Sequence, residues 1–230
     1  CATTDCASFF NRAGATLRLN DLQGIAVVGP GLTALNNAGL VELVHGCGQI
    51  NPPGVDTGTY RYDSNCTLAF FTRPDTERVF ESTLVLDPVN SSGLQLGGSL
   101  RVNGAARSFG YLIIDNTATL FGPAAITFTS TTEWRGLIEG TSGSETVTVA
   151  PGATLQTNSN PGDSPLLFAR TLFNNGNLDI TNVRLQLDGN AEIRNSGVLN
   201  LFGTPMAAGA IGCASPPNCG LITNNSGGSI

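Results

Sequence analysis

Short runs in which apolar and polar residues alternate recur along this chain, and most begin at a turn built from Asn, Ser and Gly. A period of two places the apolar side chains on one face of an extended strand, so each run predicts a β-strand with one buried face. Five such runs occupy residues 37–43, 91–96, 174–180, 195–201 and 224–230. A second pattern, a turn followed by Ala, any residue and an aliphatic residue, occupies residues 14–17, 117–120, 152–155 and 190–193.

The spacing of these turns predicts an all-β protein of the parallel β-helix, or β-solenoid, class. Gly176 and Gly197 are 21 residues apart, and Gly227 follows Gly197 after 30 residues because a loop containing Cys213 and Cys219 intervenes. Short strands, glycine corners and a fixed period are typical of stacked coils, here of about 20–22 residues each. Asparagine tolerates corner conformations, and stacked asparagines of successive coils can form a hydrogen-bonded ladder.

Stacking of the coils should bury one apolar set. We expect the inward positions to be Leu178, Ile180, Leu185, Leu187, Ile193, Val198 and either Leu199 or Leu201.

The repeat divides the chain into two regions. Residues 111–230 are predicted to be β-solenoid coils with a loop at 204–220. Residues 1–110 carry a sparser repeat and four of the six cysteines, so we expect a disulfide-containing β region there: a cap, loops that leave the coils, or a small β domain. Because Asn-Gly turns are also typical of hairpins, a β-sandwich is the alternative, and it competes most closely in this first region.

Residues 150–230 resemble the passenger domains of secreted bacterial right-handed β-helix proteins, such as filamentous-haemagglutinin-type adhesins and autotransporters. The resemblance lies in the strings Gly-Ala-Thr-Leu at residues 152–155 and Asn-Gly-Asn-Leu-Asp-Ile at residues 175–180. It implies a right-handed parallel β-helix that is secreted and acts at a cell surface.

Composition argues against several functional classes. The net charge of −6 disfavours nucleic-acid binding, which needs a basic face. The sequence contains no lysine, so lysine-dependent chemistry is excluded. His45 is the only histidine, which argues against a histidine-dependent catalytic triad and a zinc site, and we predict no metal and no cofactor.

The six cysteines form three pairs that are close in sequence. They are Cys1 with Cys6, Cys47 with Cys66, and Cys213 with Cys219. Short loop closure favours pairing between these neighbours, although six cysteines allow 15 connectivities. Disulfides are typical of oxidising compartments, so we expect a secreted or cell-surface protein. No apolar run is long enough to predict a membrane span.

The last alternating run predicts an assembly edge. It consists of Asn224, Asn225, Ser226, Gly227, Gly228, Ser229 and Ile230, which begin another repeat without a polar cap. An unpaired strand edge over apolar side chains tends to pair with another strand. We therefore expect an extracellular structural or adhesive solenoid without enzymatic activity. It would form part of a longer surface fibre or stack head-to-tail with copies of itself, and its expected partners are itself or cell-surface glycans.

Two alternative functions remain open. A secreted polysaccharide-active enzyme needs acidic and basic side chains that converge in one groove. The candidate sets are Asp75, Glu77, Arg78 and Glu81, and separately Glu133, Arg135 and Glu139. A carbohydrate-binding module would instead expose aromatic residues along one flank, with Tyr60, Tyr62, Tyr111 and Trp134 as candidates.

Overall fold

The computed structural model describes residues 7–28, 32–62, 67–88, 93–157, 163–202, 211–213 and 218–230. Within these ranges the chain forms strands and turns and no helix. The strand pairs described are parallel, which confirms the predicted all-β solenoid and contradicts the antiparallel hairpins of a sandwich. The chain divides into two compact units, Cys1–Gly104 and Ala105–Ile230.

The first unit contains eleven strands in its described residues. They are β1 (Ala7–Asn11), β2 (Thr16–Val28), β3 (Leu32–Asn37), β4 (Leu40–Ile50), β5 (Gly54–Asp56), β6 (Thr59–Tyr62), β7 (Leu68–Phe70), β8 (Glu77–Phe80), β9 (Val85–Pro88), β10 (Leu94–Leu96) and β11 (Ser99–Val102).

Three rows of strands make the coils of the first unit. β1, β3, β5, β8 and β11 form one row. β4 is long enough to belong to both of the other rows. Its first part pairs with β6, and its last part pairs with β7. β9 then extends the row of β6, and β10 extends the row of β7. The described part of the first region is therefore built from parallel coils, and whether residues 1–110 are a cap or a separate domain stays a prediction.

The second unit repeats a coil of three strands. Its strands are β12 (Arg107–Phe109), β13 (Leu112–Ile114), β14 (Thr119–Phe121), β15 (Ile126–Phe128), β16 (Thr131–Trp134), β17 (Leu137–Glu139), β18 (Thr146–Val149), β19 (Thr154–Thr157), β20 (Leu166–Phe168), β21 (Thr171–Asn174), β22 (Asn177–Thr181), β23 (Leu185–Asp188), β24 (Glu192–Asn195), β25 (Val198–Phe202), β26 (Ile211–Gly212) and β27 (Leu221–Asn224).

The strands of this unit line three faces. Face A holds β14, β17, β20, β23 and β26. Face B holds β13, β16, β19, β22 and β25. Face C holds β12, β15, β18, β21, β24 and β27.

The interior of the second unit contains most of the predicted apolar set. Leu178, Ile180, Leu185, Leu187, Ile193 and Leu199 are buried, as predicted. Val198 and Leu201 are exposed, so the prediction for Val198 is wrong and Leu199 is the inward residue of β25. The error follows from the period of two, because Val198 and Leu199 point to opposite faces of the same strand.

The predicted asparagine ladder is present at the corner between faces C and B. Asn174 and Asn195 are 21 residues apart, and the Nδ2 of Asn174 donates to the Oδ1 of Asn195 over 2.7 Å. Asn195 donates in turn to Asn224 over 2.8 Å, after a step of 29 residues. Its Nδ2 also donates to the backbone oxygen of Ser229 over 2.9 Å. Buried amides thus join the coils of β21, β24 and β27, and a shorter ladder joins Asn11 to Asn37 in the first unit.

One predicted alignment of the repeat is shifted by a residue. Val198 pairs with Ser229 on face B, so the counterpart of Gly197 is Gly228. The expected counterpart, Gly227, lies in the turn before it with a φ of 95°. This turn is longer than the one that follows Asn195, and the sequence pattern alone does not reveal which glycine stacks.

Corner glycines are required because successive coils approach closely. A Cβ atom at Gly197 would lie 2.1 Å from the backbone oxygen of Gly176, and one at Gly176 would lie 2.4 Å from that of Ala150. In the first unit, a Cβ atom at Gly58 would lie 2.1 Å from the oxygen of Gly39. No side chain fits at these positions without separating the coils.

We predict that Gly197→Ala lowers the free energy of unfolding by about 1–3 kcal/mol, because the added methyl group forces the coils apart. Urea denaturation measures the effect. Gly110→Ala is the matched control, because a Cβ atom there meets nothing within 4 Å. Equal losses in the two variants would contradict the stacking requirement.

Candidate functional site

The first predicted acidic and basic set does not converge. The side chains of β8 alternate, so Glu77 lies on the outside whereas Arg78 is fully buried. Glu77 forms an exposed ion pair with Arg101, with 3.1 Å between Oε2 and Nη2. A groove that contains both Glu77 and Arg78 is therefore not formed.

Arg78 instead organises the interior of the first unit. Its Nε and Nη2 each lie 2.6 Å from a carboxylate oxygen of Asp56, in a two-pronged ion pair. Its Nη1 donates to the backbone oxygen of Pro52 over 2.8 Å, and its Nη2 also bonds the hydroxyl of Tyr60 and the backbone oxygen of Leu35. Although burial lowers the pKa of Arg78, Tyr60 and Asp56 raise it overall, so the guanidinium stays charged.

The second predicted set is only partly assembled. Arg135 and Glu133 form an ion pair with 2.5 Å between Nη2 and Oε2, and the hydroxyl of Tyr111 donates to Glu133 over 2.9 Å. Asp115 lies 3.8 Å from Arg135. Glu139 belongs to β17 on face A, whereas Glu133 belongs to β16 on face B. The two glutamates thus lie on different faces, and the enzyme alternative loses the arrangement that motivated it.

Most of the predicted aromatic candidates are inside the molecule. Tyr60, Tyr62 and Trp134 are buried, and the indole Nε1 of Trp134 donates to the backbone oxygen of Gly136 over 2.9 Å. Tyr111 alone is half-buried, and its hydroxyl is occupied by Glu133. These four residues do not form an exposed aromatic flank.

The disulfide prediction is confirmed where the structure describes it. Cys213 and Cys219 are bonded, with Cα atoms 5.2 Å apart. Cys47 is also disulfide-bonded. Cys1, Cys6 and Cys66 lie outside the described residues, so the pairing of Cys1 with Cys6 and of Cys47 with Cys66 stays a prediction.

The predicted assembly edge lies at the surface of the second unit. β27 pairs with β24, and Ser229 forms a parallel bridge to Val198. Apart from Gly228, which is half-buried, the residues Asn224, Asn225, Ser226, Gly227, Ser229 and Ile230 are exposed. The use of this edge for assembly stays a prediction.

A groove that the sequence did not reveal lies at the corner between faces A and C, with a volume of about 720 Å³. Its lining includes residues of the outward bulge at 140–145, between β17 and β18, and the corner at Gly189 and Asn190. The intermediate coil passes from β20 to β21 through Ala169 and Arg170 alone, so its corner is shorter than the corner of the preceding coil. Phe121, Phe168 and Glu139 also line the groove.

Glu145 holds the bulge in shape from below. Its carboxylate accepts hydrogen bonds from the backbone N–H groups of Thr141 and Ser142, at 3.1 and 2.9 Å, and from the hydroxyl of Thr141. Burial alone would raise the pKa of Glu145, but these hydrogen bonds outweigh it and lower the pKa to about 2.

Arg170 supports the same corner from the interior. It is buried, and its Nη2 donates to the backbone oxygens of Gly122, at 2.5 Å, and Ala124, at 3.1 Å. Those oxygens belong to the corner after β14, so the side chain spans the coil that bulges outward at residues 140–145. Burial lowers the pKa of Arg170 to about 10, although the charge of Glu145 opposes the shift.

Other kinds of site find no support in the described part of the chain. None of its groups of His, Cys, Asp and Glu could hold a metal ion. The same residues contain no helix with the length and apolar character needed to cross a membrane.

Comparisons with family models, with curated proteins and with solved structures gave no match to this chain.

We predict that Arg78→Met destabilises the protein by about 3–5 kcal/mol, because Asp56 is left buried and unpaired. Urea denaturation measures the loss. Arg101→Met removes the exposed ion pair with Glu77 and should cost no more than about 1 kcal/mol. Combining Arg78→Met with Asp56→Leu should restore much of the stability, and a double variant as unstable as the single one would contradict this account.

We predict that Glu145 makes stability depend on acid pH. Its pKa is about 2 in the folded chain, against an ordinary value of 4.5, so the ionised form stabilises the fold. This contribution is complete above about pH 4.5 and disappears as the pH falls towards 2. The difference in unfolding free energy between the wild type and Glu145→Gln should therefore narrow from pH 6 to pH 2. A difference that does not change with pH would refute the prediction.

Proposed function

We propose that this protein is an extracellular structural or adhesive β-solenoid whose coils stack end to end with those of a second copy. Stacked coils present strand edges whose backbone groups can pair with a further strand. A contact between two different surfaces of the same chain repeats from copy to copy and builds a filament.

The location of exposed large apolar side chains carries this proposal. Most of those in the described residues lie on β1 or in the coil that contains β25 and β27. They are Phe9, Phe10, Val198, Leu201, Phe202, Leu221 and Ile230. Phe202 is 55% exposed and Leu221 is 61% exposed, whereas the outward positions of most intermediate coils carry polar or half-buried residues. Apolar patches of this kind are typical of interaction surfaces.

The backbone at each of these two places is the last strand of a parallel sheet. In the described residues β1 pairs with β3 along one side, and β27 pairs with β24 along one side. Both belong to parallel sheets, in which neighbouring strands lie about 4.8 Å apart. A second copy can therefore continue the parallel pairing and cover the apolar side chains at the same time, so we favour a second copy over an unrelated partner.

An extracellular location is supported by the cysteines. Cys213 and Cys219 form a disulfide, and Cys47 is disulfide-bonded as well. Disulfides persist in oxidising compartments, where surface and secreted proteins occur.

We predict that Phe202→Asp and Phe10→Asp each weaken self-association by about 10- to 100-fold. Burying one phenylalanine in the interface contributes about 1.5–3 kcal/mol to the free energy of association, and each charged replacement removes this contribution. Sedimentation velocity over a range of protein concentrations measures the association, and electron microscopy shows whether the wild type forms filaments.

Val85→Asp is the matched control, because Val85 is an exposed apolar residue of β9 that lies outside both surfaces. It should assemble like the wild type. The proposal fails if the wild type stays monomeric at every concentration, or if Val85→Asp weakens association as much as the other two changes.

A further inference from the structure

We infer that the groove between faces A and C binds an extended, uncharged, β-linked oligosaccharide. Phe121 and Phe168 would stack on the apolar faces of sugar rings, and Glu139 would accept hydrogen bonds from sugar hydroxyls between them. This inference does not depend on self-assembly, because the groove lies on other strands than β1, β25 and β27.

The outward positions of face A set the spacing of the two phenylalanine residues. Phe121, Glu139 and Phe168 are the last residues of β14, β17 and β20, and each follows a buried aliphatic residue. Glu139 pairs with Phe168, and the residue before Phe121 pairs with the residue before Glu139. The three side chains therefore form one column along the coil axis. Two coil spacings, or about 9.6 Å, therefore separate the Cα atoms of the two phenylalanines.

This spacing suits a β-linked glycan. Two coil spacings are close to the length of one disaccharide unit in an extended chain, in which alternate sugars present the same face. An aromatic ring buries the C–H groups of one sugar face and leaves the equatorial hydroxyls accessible at the edge. A glycan lying along the coil axis can therefore contact both phenylalanines with alternate sugars, while the sugar between them faces Glu139.

The polar groups of the groove are available to a ligand. The carboxylate of Glu139 forms no hydrogen bond or ion pair with another described residue, although it lines the groove. The side-chain amide of Asn190, at the corner after β23, likewise has no described partner. A carboxylate and an amide supply acceptors and donors, which sugar hydroxyls need in combination.

The charge of the groove selects against acidic glycans. Glu139 is the one charged residue among the described residues that line it. Arg170 lies behind the corner, but its Nη2 is directed to the backbone oxygens of Gly122 and Ala124. A uronate would meet the carboxylate of Glu139, with no cationic side chain among the described residues that line the groove.

The groove is also held in shape before a ligand arrives. Glu145 fixes the bulge at Thr141 and Ser142, and Gly140 at its base donates its backbone N–H to Phe168 over 2.8 Å. A binding surface that is already ordered loses little conformational entropy on binding.

Isothermal titration calorimetry with cellohexaose and chitohexaose as probes tests the inference, with hexagalacturonate as the acidic comparison. We expect the wild type to bind at least one neutral hexasaccharide more tightly than hexagalacturonate. Phe121→Ala and Phe168→Ala should each weaken that binding about tenfold or more, since each loses one stacking contact. Glu139→Gln should reduce the ratio between the affinity for the neutral hexasaccharide and the affinity for hexagalacturonate. A purely structural role of Glu139 would not change this ratio.

Phe173→Ala is the matched control, because Phe173 is a half-buried outward residue of β21 on face C, in the same coil as Phe168. It should bind like the wild type, and so should Phe202→Asp, which separates glycan binding from self-assembly. The inference is overturned if neither neutral hexasaccharide binds at millimolar concentration, if hexagalacturonate binds best, or if Phe168→Ala and Phe173→Ala behave alike.

Discussion

The close approach of successive coils is the constraint on which this structure depends. Parallel strands hold neighbouring coils about 4.8 Å apart, and at the corners this brings backbone carbonyl groups against the next coil. A side chain at Gly197 or Gly176 would collide with the carbonyl oxygens there. Donors at the corners must also find partners within the stack, and the amide of Asn195 satisfies this need by bonding both Asn224 and the backbone of Ser229. Glycine provides the space, and asparagine provides the hydrogen bonds.

The same constraint decides which charged residues the interior can accept. Polar groups inside a narrow stack must be satisfied by the coils themselves. Arg78 reaches from β8 to the backbone of Leu35 in β3, and Arg170 reaches from the corner after β20 to Gly122, which follows β14. Each side chain spans an intermediate coil. A long, planar guanidinium with several donors is suited to bonding oxygens at different levels of a stack. Arg78 joins three successive coils in this way, and Arg170 joins its own coil to the corner two coils before it.

Regular features of the fold could be predicted from sequence, whereas the groove could not. The step from Asn174 to Asn195 recurs in the sequence because it recurs in the stack, and the ladder follows from it. The column of Phe121, Glu139 and Phe168 has no fixed spacing, because the corners between these strands differ in length. The burial of Arg78 could not be predicted from the sequence either. Its neighbours in sequence suggest a charged surface segment, and only the register with β5 brings it to Asp56.

Variation in corner length is what turns a uniform stack into a surface with a specific site. The faces cannot vary, because each strand must match the strands on either side of it. A corner can lengthen if its backbone groups find other partners, and residues 140–145 do so through the carboxylate of Glu145. The outward bulge leaves carbonyl oxygens of the preceding corner to be satisfied by Arg170 from the following coil. Two buried charges therefore permit one long corner, and the recess beside that corner is where Phe168 and Glu139 become accessible to a ligand.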